Sequence, residues 1–368
     1  MTTRPPFFLA AAALLSAVPS GVFAQTAAQP GAVASAQGTE QSTEAKAKKK
    51  RITTFFDTDE PLQVTLVTNL KRIRGDKSDK APWRSAQWGY VRPDSSKVEI
   101  PIKARTRGIW RLKNCEFPPL RLDFPNKEPQ GTPFDGLNKP KLVSYCKNDD
   151  DYEQYVLQEL QLYRIYNLLT PMSHRARLLR LTYADSASGE ALTTRYAIML
   201  EEPEEMAARF DGTIIEQKGA RAADLEPQHA LLVGLYSYFI ANTDFSVAGL
   251  HNFELLAKGD GTVIPVAFDF DFSGAVNARY ATVDPSLDVS RVRDRLFRGY
   301  CASAEEYAET FALFNQKKDA IYGLYNDRIG QLMDRKVVDA TLKFYDEFYK
   351  TINDPRLAKR HILDRCDG

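Results

Sequence analysis

From Leu62 onward the chain alternates apolar and polar residues in short runs, the period of half-buried β-strands. "LQVTLVTNL" is the first, followed by "SAQWGYV" and by "KVEIPIKARTRG", which sets Val98, Ile100 and Ile102 on one face. "PPLRLDF" repeats the pattern with Leu120, Leu122 and Phe124 inward and Arg121 and Asp123 on the opposite face. "KPKLVSYC" reads as one more short strand, reached through the turn-rich "PNKEPQGTPFDGLN". The period then changes. "DDDYEQYVLQELQLYRIYNLLT" opens on three aspartates, which suit a helix N-terminus, and Val156, Leu160, Tyr163, Tyr166 and Asn167 form a stripe at helical spacing. Glu159 falls inside that stripe. It is either a carboxylate snorkelling at the border or a buried acid paired with a cation on a neighbouring strand.

Two further strands, "RARLLRLTYAD" and "TTRYAIMLEE", flank "SASGEA" as a hairpin. The charge run "EEPEEMAARF" reads as a solvated helix start, and "EPQHALLVGLYSYFIAN" as a buried helix. "HNFELLA" and "TVIPVAF" form a hairpin around the turn sequence "KGDG". After Ser290 the chain reads as helical to its end. No internal repeat is visible.

Composition narrows the class. Residues 1–24 read as a secretory signal: Arg4 supplies a short positive region, "FFLAAAALLSAV" is too short to span a bilayer, and "VFA" places cleavage after Ala24. Residues 25–51 lack aromatic residues and read as a disordered linker. About 315 residues remain, divided by expectation into a strand-rich lobe over 52–225 and a mainly helical lobe over 226–368. A net charge of +1 supplies no basic excess for general nucleic-acid binding. Four cysteines in an exported chain favour disulfides. Each half holds two, so Cys115–Cys146 and Cys301–Cys366 are the expected pairs of the three connectivities.

The most hydrophobic neighbourhood, "FIANTDFSVAGLHNFELLAKGDGTVIPVAFDFDFSG", carries Asp244, His251, Asn252, Asp269 and Asp271. Burying carboxylates without partners is costly, so these groups are solvated or hold something positive. The strand hairpin returns Asp269 towards Asn252, where two oxygen ligands can share one hard cation. Strands first, one helix carboxylate, then a loop Asp and an Asp at a strand end is the layout that protein-kinase-type phosphoryl transfer needs. His251 reads as a structural histidine orienting this loop, or as a metal ligand of a phosphoesterase. Arg279, Arg291, Arg293, Arg295 and Arg298, in and beside "RVRDRLFRGYC", either bind substrate anions or salt-bridge the aspartates.

"NTDFS…HN…VAFDFDFSG" resembles the signature of the CotH kinase family, atypical secreted kinases named for a spore-coat protein. "ARTRGIWRLKNCEFPPLRLDF" is similar to that family's N-terminal strands, and "KLVSYC", "NLLT" and "FRGYC" recur in the order of an exported bacterial branch. The resemblance runs from about Glu60 to Cys301. It implies an α+β, atypical kinase-like two-lobed fold, with a strand-rich N-terminal and a helical C-terminal lobe. It also implies ATP with magnesium or manganese, and roles for individual residues. Asp244 stands at the catalytic-loop Asp, Asn252 at the loop Asn, and Asp269 at the metal Asp, with Asp271 as a second ligand. Arg121 or Lys141 supplies the phosphate cation held by Glu159, while Arg107 and Gly108 form a turn that approaches phosphates. The sequence departs from the ordinary kinase pattern in two ways: Asn252 follows Asp244 by eight residues instead of five, and there is no glycine-rich G-x-G-x-x-G loop.

Three functions follow as expectations. The first is an exported kinase acting on a protein Ser/Thr or another hydroxyl acceptor. The second is an inactive pseudokinase that binds a partner in the periplasm, and the third a metal-dependent hydrolase. None requires nucleic acid or a membrane span.

Overall fold

The computed structural model describes residues 53–78, 80–127 and 129–367. The expected signal segment and linker lie outside the described residues.

The alternating runs form seven strands: β1 (Leu62–Thr68), β2 (Arg84–Val91), β3 (Lys97–Thr106), β4 (Leu120–Asp123), β5 (Lys141–Val143), β6 (Ala176–Asp185) and β7 (Ala191–Leu200). They close into a barrel of order β1-β2-β3-β4-β5-β7-β6. All neighbours are antiparallel except β1 and β6, whose parallel pairing seals it. Register explains the core. Tyr183, Leu66, Trp88 and Ile100 stand side by side on β6, β1, β2 and β3, and all are buried. Residues opposite one another share a face, so the period of two in each strand becomes one continuous apolar lining. Closure also removes the exposed edges that an open sheet would carry.

A second sheet, of order β10-β9-β8, is built from β8 (Thr213–Ile215), β9 (Phe253–Ala257) and β10 (Val263–Ala267). This arrangement overturns the expected two-lobed kinase-like fold with a helical C-terminal lobe. The strands of the first half close on themselves, and two of the three strands of the second sheet come from the half expected to be helical. The strand periods of the first half match its strands, whereas residues 291–303, expected to be helical, form no helix. What the strand periods do not encode is that β1 closes onto β6 more than a hundred residues later.

Helix α3 (Asp150–Leu169) lies against β6, β7 and α6 (Ala304–Gly323), and α5 (Pro227–Ile240) against β10, α6 and α7 (Arg335–Ile352). Helix α3 is buried nearly all round, which is why Glu159 has no wet face to reach. Helix α8 (Pro355–His361) completes the C-terminal end. Three short helices, α1 (Leu70–Gly75), α2 (Trp110–Asn114) and α4 (Pro203–Ala208), interrupt the strands. Of the acids in the charge run at α4, Glu204 is exposed and the others are not. Glu201, Glu202 and Glu205 are buried, and Glu201 is held by Arg175 and Arg209.

Both expected disulfides are present. Cys115–Cys146 ties the end of α2 to the segment after β5, and Cys301–Cys366 ties the approach to α6 to the C-terminal tail. Paired cysteines fit an oxidising compartment. Among the described residues no helix is long and apolar enough to cross a membrane.

Candidate functional site

Helix α5 stops at Ala241, whose left-handed backbone (φ 51°) turns the chain out of the core. Asn242 then accepts the Asp244 N–H on its side chain at 3.1 Å, a local turn that presents the Asp244 carboxylate. Ser246 and His251 pair through both backbone hydrogen bonds, folding the intervening residues into a tight loop. His251 therefore returns to Asp244, with Nε2 2.9 Å from Oδ1. Asn252 donates its amide to the Asp244 carbonyl at 2.7 Å and to Oδ2 at 3.1 Å. Both bonds come from Nδ2, and the Asn252 Oδ1 accepts no hydrogen bond among the described residues.

The hairpin of β9 and β10 does what the sequence predicted of it. Phe268 donates its N–H to the Asn252 carbonyl at 3.0 Å, which brings Asp269 beside Asn252. Leu250, Asn252 and Asp269 all have left-handed backbone, at φ 51°, 54° and 62°. That conformation is unfavourable for a branched residue such as Leu250 and tolerated by Asn and Asp. Three such residues at one place mark a backbone held in shape by its surroundings. The Asp269 N–H donates to the Tyr163 hydroxyl at 2.9 Å, while its carboxylate makes no hydrogen bond or ion pair among the described residues.

Asp271 is different. It is buried, and its Oδ2 lies 3.0 Å from Arg111 Nε and 2.6 Å from Nη2. The same Nη2 is 3.3 Å from Glu159 Oε2. Glu159 therefore pairs with Arg111 on α2, and not with Arg121 or Lys141 as expected. Two carboxylates share one buried guanidinium. Burial raises both acids above their ordinary range against the pull of Arg111, Glu159 up to about 8. Arg111 approaches Asp271 more closely than Glu159. With its charge taken by Arg111, Asp271 is a poor second metal ligand.

Lys141 also has another partner. It is buried, its Nζ lies 3.3 Å from Glu254 Oε1 on β9 and 4.2 Å from the Phe268 ring centroid, and burial pulls its pKa down. Glu254 is held on its other oxygen by His174 at 2.8 Å. Burial opposes ionisation of Glu254, but His174 and Lys141 outweigh it and hold the carboxyl down to about 2. Arg121 stands opposite Lys141 across β4 and β5, and opposite Arg105 across β3 and β4. These three cations therefore form a row on the outer barrel wall. The buried Arg121 Nε has no hydrogen-bond partner among the described residues, and Arg105 lies over the Trp83 ring. Arg107 follows at the end of β3, close enough for its charge to be felt at Lys141 and Tyr163. Gly108 beside it has φ 93° and open space where a Cβ would stand, a turn that backbone can take and a ligand can approach.

The structure thus brings together Asp244, His251, Asn252 and Asp269. Asp269 is in turn within electrostatic reach of Lys141, Arg111, Asp271 and Glu159. The arginines of "RVRDRLFRGYC" reach none of the site carboxylates. Arg291 pairs with Asp294, and Arg295 and Arg298 donate to backbone carbonyls. Sequence reasoning missed Arg111, His174, Glu254 and Tyr163. Glu254 alone left a signal, an acid between Phe253 and Leu255 in an apolar strand.

Among the described residues no three His, Cys, Asp or Glu side chains cluster as a closed metal cage. The donors that are free, Asp269 and the Asn252 Oδ1, suit magnesium, which binds through one or two protein oxygens and takes the rest from water and phosphate. They do not suit zinc, which wants three or four nitrogen or sulfur ligands. No protein-family model matches the chain, and no curated protein matches it significantly.

Proposed function

We propose that the protein is an exported phosphotransferase of the CotH-kinase type, moving a phosphoryl group from a nucleotide to a hydroxyl acceptor in the periplasm or outside the cell. The observation that carries this reading is the Asp269 carboxylate beside Asn252 and Asp244, which has no hydrogen bond or ion pair among the described residues and lies within electrostatic reach of Lys141 and Arg111. A free carboxylate half-buried among other acids is unfavourable unless a cation joins it. Asp269 and Asn252 would hold magnesium or manganese, which neutralises charge on the transferring group when bound. Asp244, oriented by His251 and Asn252, positions the acceptor hydroxyl and takes its proton. Arg107 and Arg121 draw the phosphates to the barrel wall.

Melting of the purified protein with magnesium or manganese, with and without ATP, tests this reading. A ligand that binds only the folded state raises the melting temperature by mass action. The expected result is a rise that needs both metal and nucleotide, with label transfer from γ-labelled ATP to protein or hydroxyl acceptors. No shift with either ligand overturns the reading.

One observation favours a second reading, a non-catalytic binding protein. Lys141 is locked between Glu254 and Phe268 and has no free reach towards a phosphate. Nucleotide-dependent stabilisation without transfer to any acceptor selects this alternative.

A further inference from the structure

The Asp244 loop is held from behind by one side chain. Arg298 Nη1 donates to the Thr243 carbonyl at 2.6 Å and to the Phe245 carbonyl at 3.1 Å, the two residues flanking Asp244. Its guanidinium lies over the Phe245 ring, 4.8 Å from the centroid. Arg298 pairs with no carboxylate among the described residues, so its charge is spent on these carbonyls.

Arg298 is itself braced by the chain that follows it. Gly299 passes so close to Gly234 of α5 that a Cβ on Gly299 would stand 3.2 Å from the Gly234 Cα and 2.5 Å from the Phe297 ring. Asp367 of the C-terminal tail bonds to both sides of Tyr300, donating its N–H to the Gly299 carbonyl at 2.9 Å and accepting the Cys301 N–H at 3.0 Å. The Cys301–Cys366 bridge fixes that pairing covalently. A small cavity of about 150 Å³, lined in part by Phe245, Arg298, Tyr300 and Asp367, gives the guanidinium room to move if the tail lets go. Cys115 and Cys146 are buried whereas Cys301 is exposed, so thiol exchange reaches the C-terminal bridge first.

We propose that Arg298 is a positioning residue for Asp244 and that the Cys301–Cys366 bridge keeps it in place, so that reducing this bridge loosens the site. The proposal rests on the reading that Asp244 acts in the site. A small dithiol supplies the reduction: it gives two electrons and two protons, leaving two cysteine thiols and its own cyclic disulfide.

The test reads geometry, not turnover. The chain has four histidines, and only His251 bonds to Asp244. Ring resonances of His251 are recorded by NMR in the wild type, in Asp244→Ala as the reference for a lost contact, and in Arg298→Ala and Arg298→Lys. In Arg298→Ala the His251 signals should move at least half of the way to their Asp244→Ala positions, while the buried His174 stays still. Lys keeps the charge and one donor, so Arg298→Lys should recover part of the shift. Treating the folded wild type with dithiothreitol until only the C-terminal bridge opens should move His251 in the same direction. That measurement stands even if Arg298→Ala does not fold. His251 signals unmoved in Arg298→Ala or, where that variant does not fold, in the reduced wild type overturn the proposal. Metal- and nucleotide-dependent melting reports separately on the phosphotransferase reading, so either can fail alone.

Discussion

Asn252 donates one side-chain amide to both the backbone carbonyl and the carboxylate of Asp244, at 2.7 and 3.1 Å, from a left-handed backbone position. Two effects are combined here, and substitution separates them. Asn252→Gly keeps the backbone conformation at no steric cost but deletes the amide, and should cost about 1 kcal/mol for the lost hydrogen bonds. Asn252→Ala loses the amide and also the tolerance of Asn for the left-handed region, which Ala lacks, adding about 1 kcal/mol more. Chemical denaturation of the two variants checks the order. Equal losses would mean that the backbone conformation relaxes freely.

Glu159 should set a pH dependence of stability. Its folded-state pKa is raised from 4.5 to about 8, chiefly by burial, so its favourable protonated state is fully populated below 4.5. Stability is lost as pH climbs from there through about 8, at up to about 1.4 kcal/mol per pH unit. Glu159→Gln copies the protonated carboxyl and should flatten that slope, leaving the variant more stable than the wild type near pH 8. Denaturation midpoints at pH 5 and pH 8 decide it. A variant that loses stability equally at both would mean that Glu159 is ionised against Arg111.

Glu254 acts in the opposite direction. Burial is outweighed by His174 and Lys141, and its carboxyl is held at about 2 instead of 4.5. The stabilisation is present above 4.5 and is lost as pH falls from there towards 2. Glu254→Gln should remove that acid-limb dependence. It also leaves Lys141 buried without its counter-ion, which costs on the order of 3–5 kcal/mol at neutral pH. Replacing both, as Lys141→Met with Glu254→Leu, should cost less than either single change, a coupling that a double-mutant cycle measures.

These two carboxylates show what the sequence made legible and what it did not. The burial of Glu159 could be read from its place in the helical stripe, because periodicity reports which face turns inward. Its partner could not, because Arg111 lies on a helix of five residues with no period of its own. Glu254 reads locally as one polar position in a strand, and only the packing of β9 against the barrel wall gives it Lys141. The disulfides were legible because each half holds a pair. The hairpin that joins Asn252 to Asp269 was legible because its turn chemistry is local. Barrel closure was not, since nothing in β1 or β6 names the other.

Gly274 in "FDFDFSG" should tolerate no side chain. A Cβ there would stand 2.5 Å from the Val292 carbonyl oxygen and 2.8 Å from the Arg293 Cα, both backbone atoms. Its N–H donates to the Ala241 carbonyl at 3.0 Å, so the segment after Asp271 is pinned to the end of α5. Gly274→Ala must push these backbones apart and should cost roughly 1–3 kcal/mol. Because Ala241 begins the Asp244 loop, the variant should also disturb His251. A thermal melt equal to the wild type's would show that the close approach is not maintained in solution.

Asp269 and Asp244 should fail in different ways. Among the described residues the Asp269 carboxylate has no partner and the neighbouring Asn252 amide oxygen accepts no hydrogen bond, so loss of Asp269 removes the cation's anchor and leaves no paired charge behind. Asp269→Ala should therefore lose no more in metal-free buffer than the about 1 kcal/mol that Ala costs at its left-handed backbone, and should abolish the melting shift produced by manganese with ATP. Asp244 has partners in His251 and Asn252 and faces solvent enough to meet an acceptor, with its side chain 40% exposed. Asp244→Asn keeps the shape and one acceptor oxygen, so metal and nucleotide stabilisation should persist within a degree or two. Phosphoryl transfer should fall by 10²-fold or more, the range general-base catalysis supplies. If Asp244→Asn instead loses the ligand-induced shift along with Asp269→Ala, Asp244 belongs to the cation site. The separation of roles argued from its His251 and Asn252 contacts then fails.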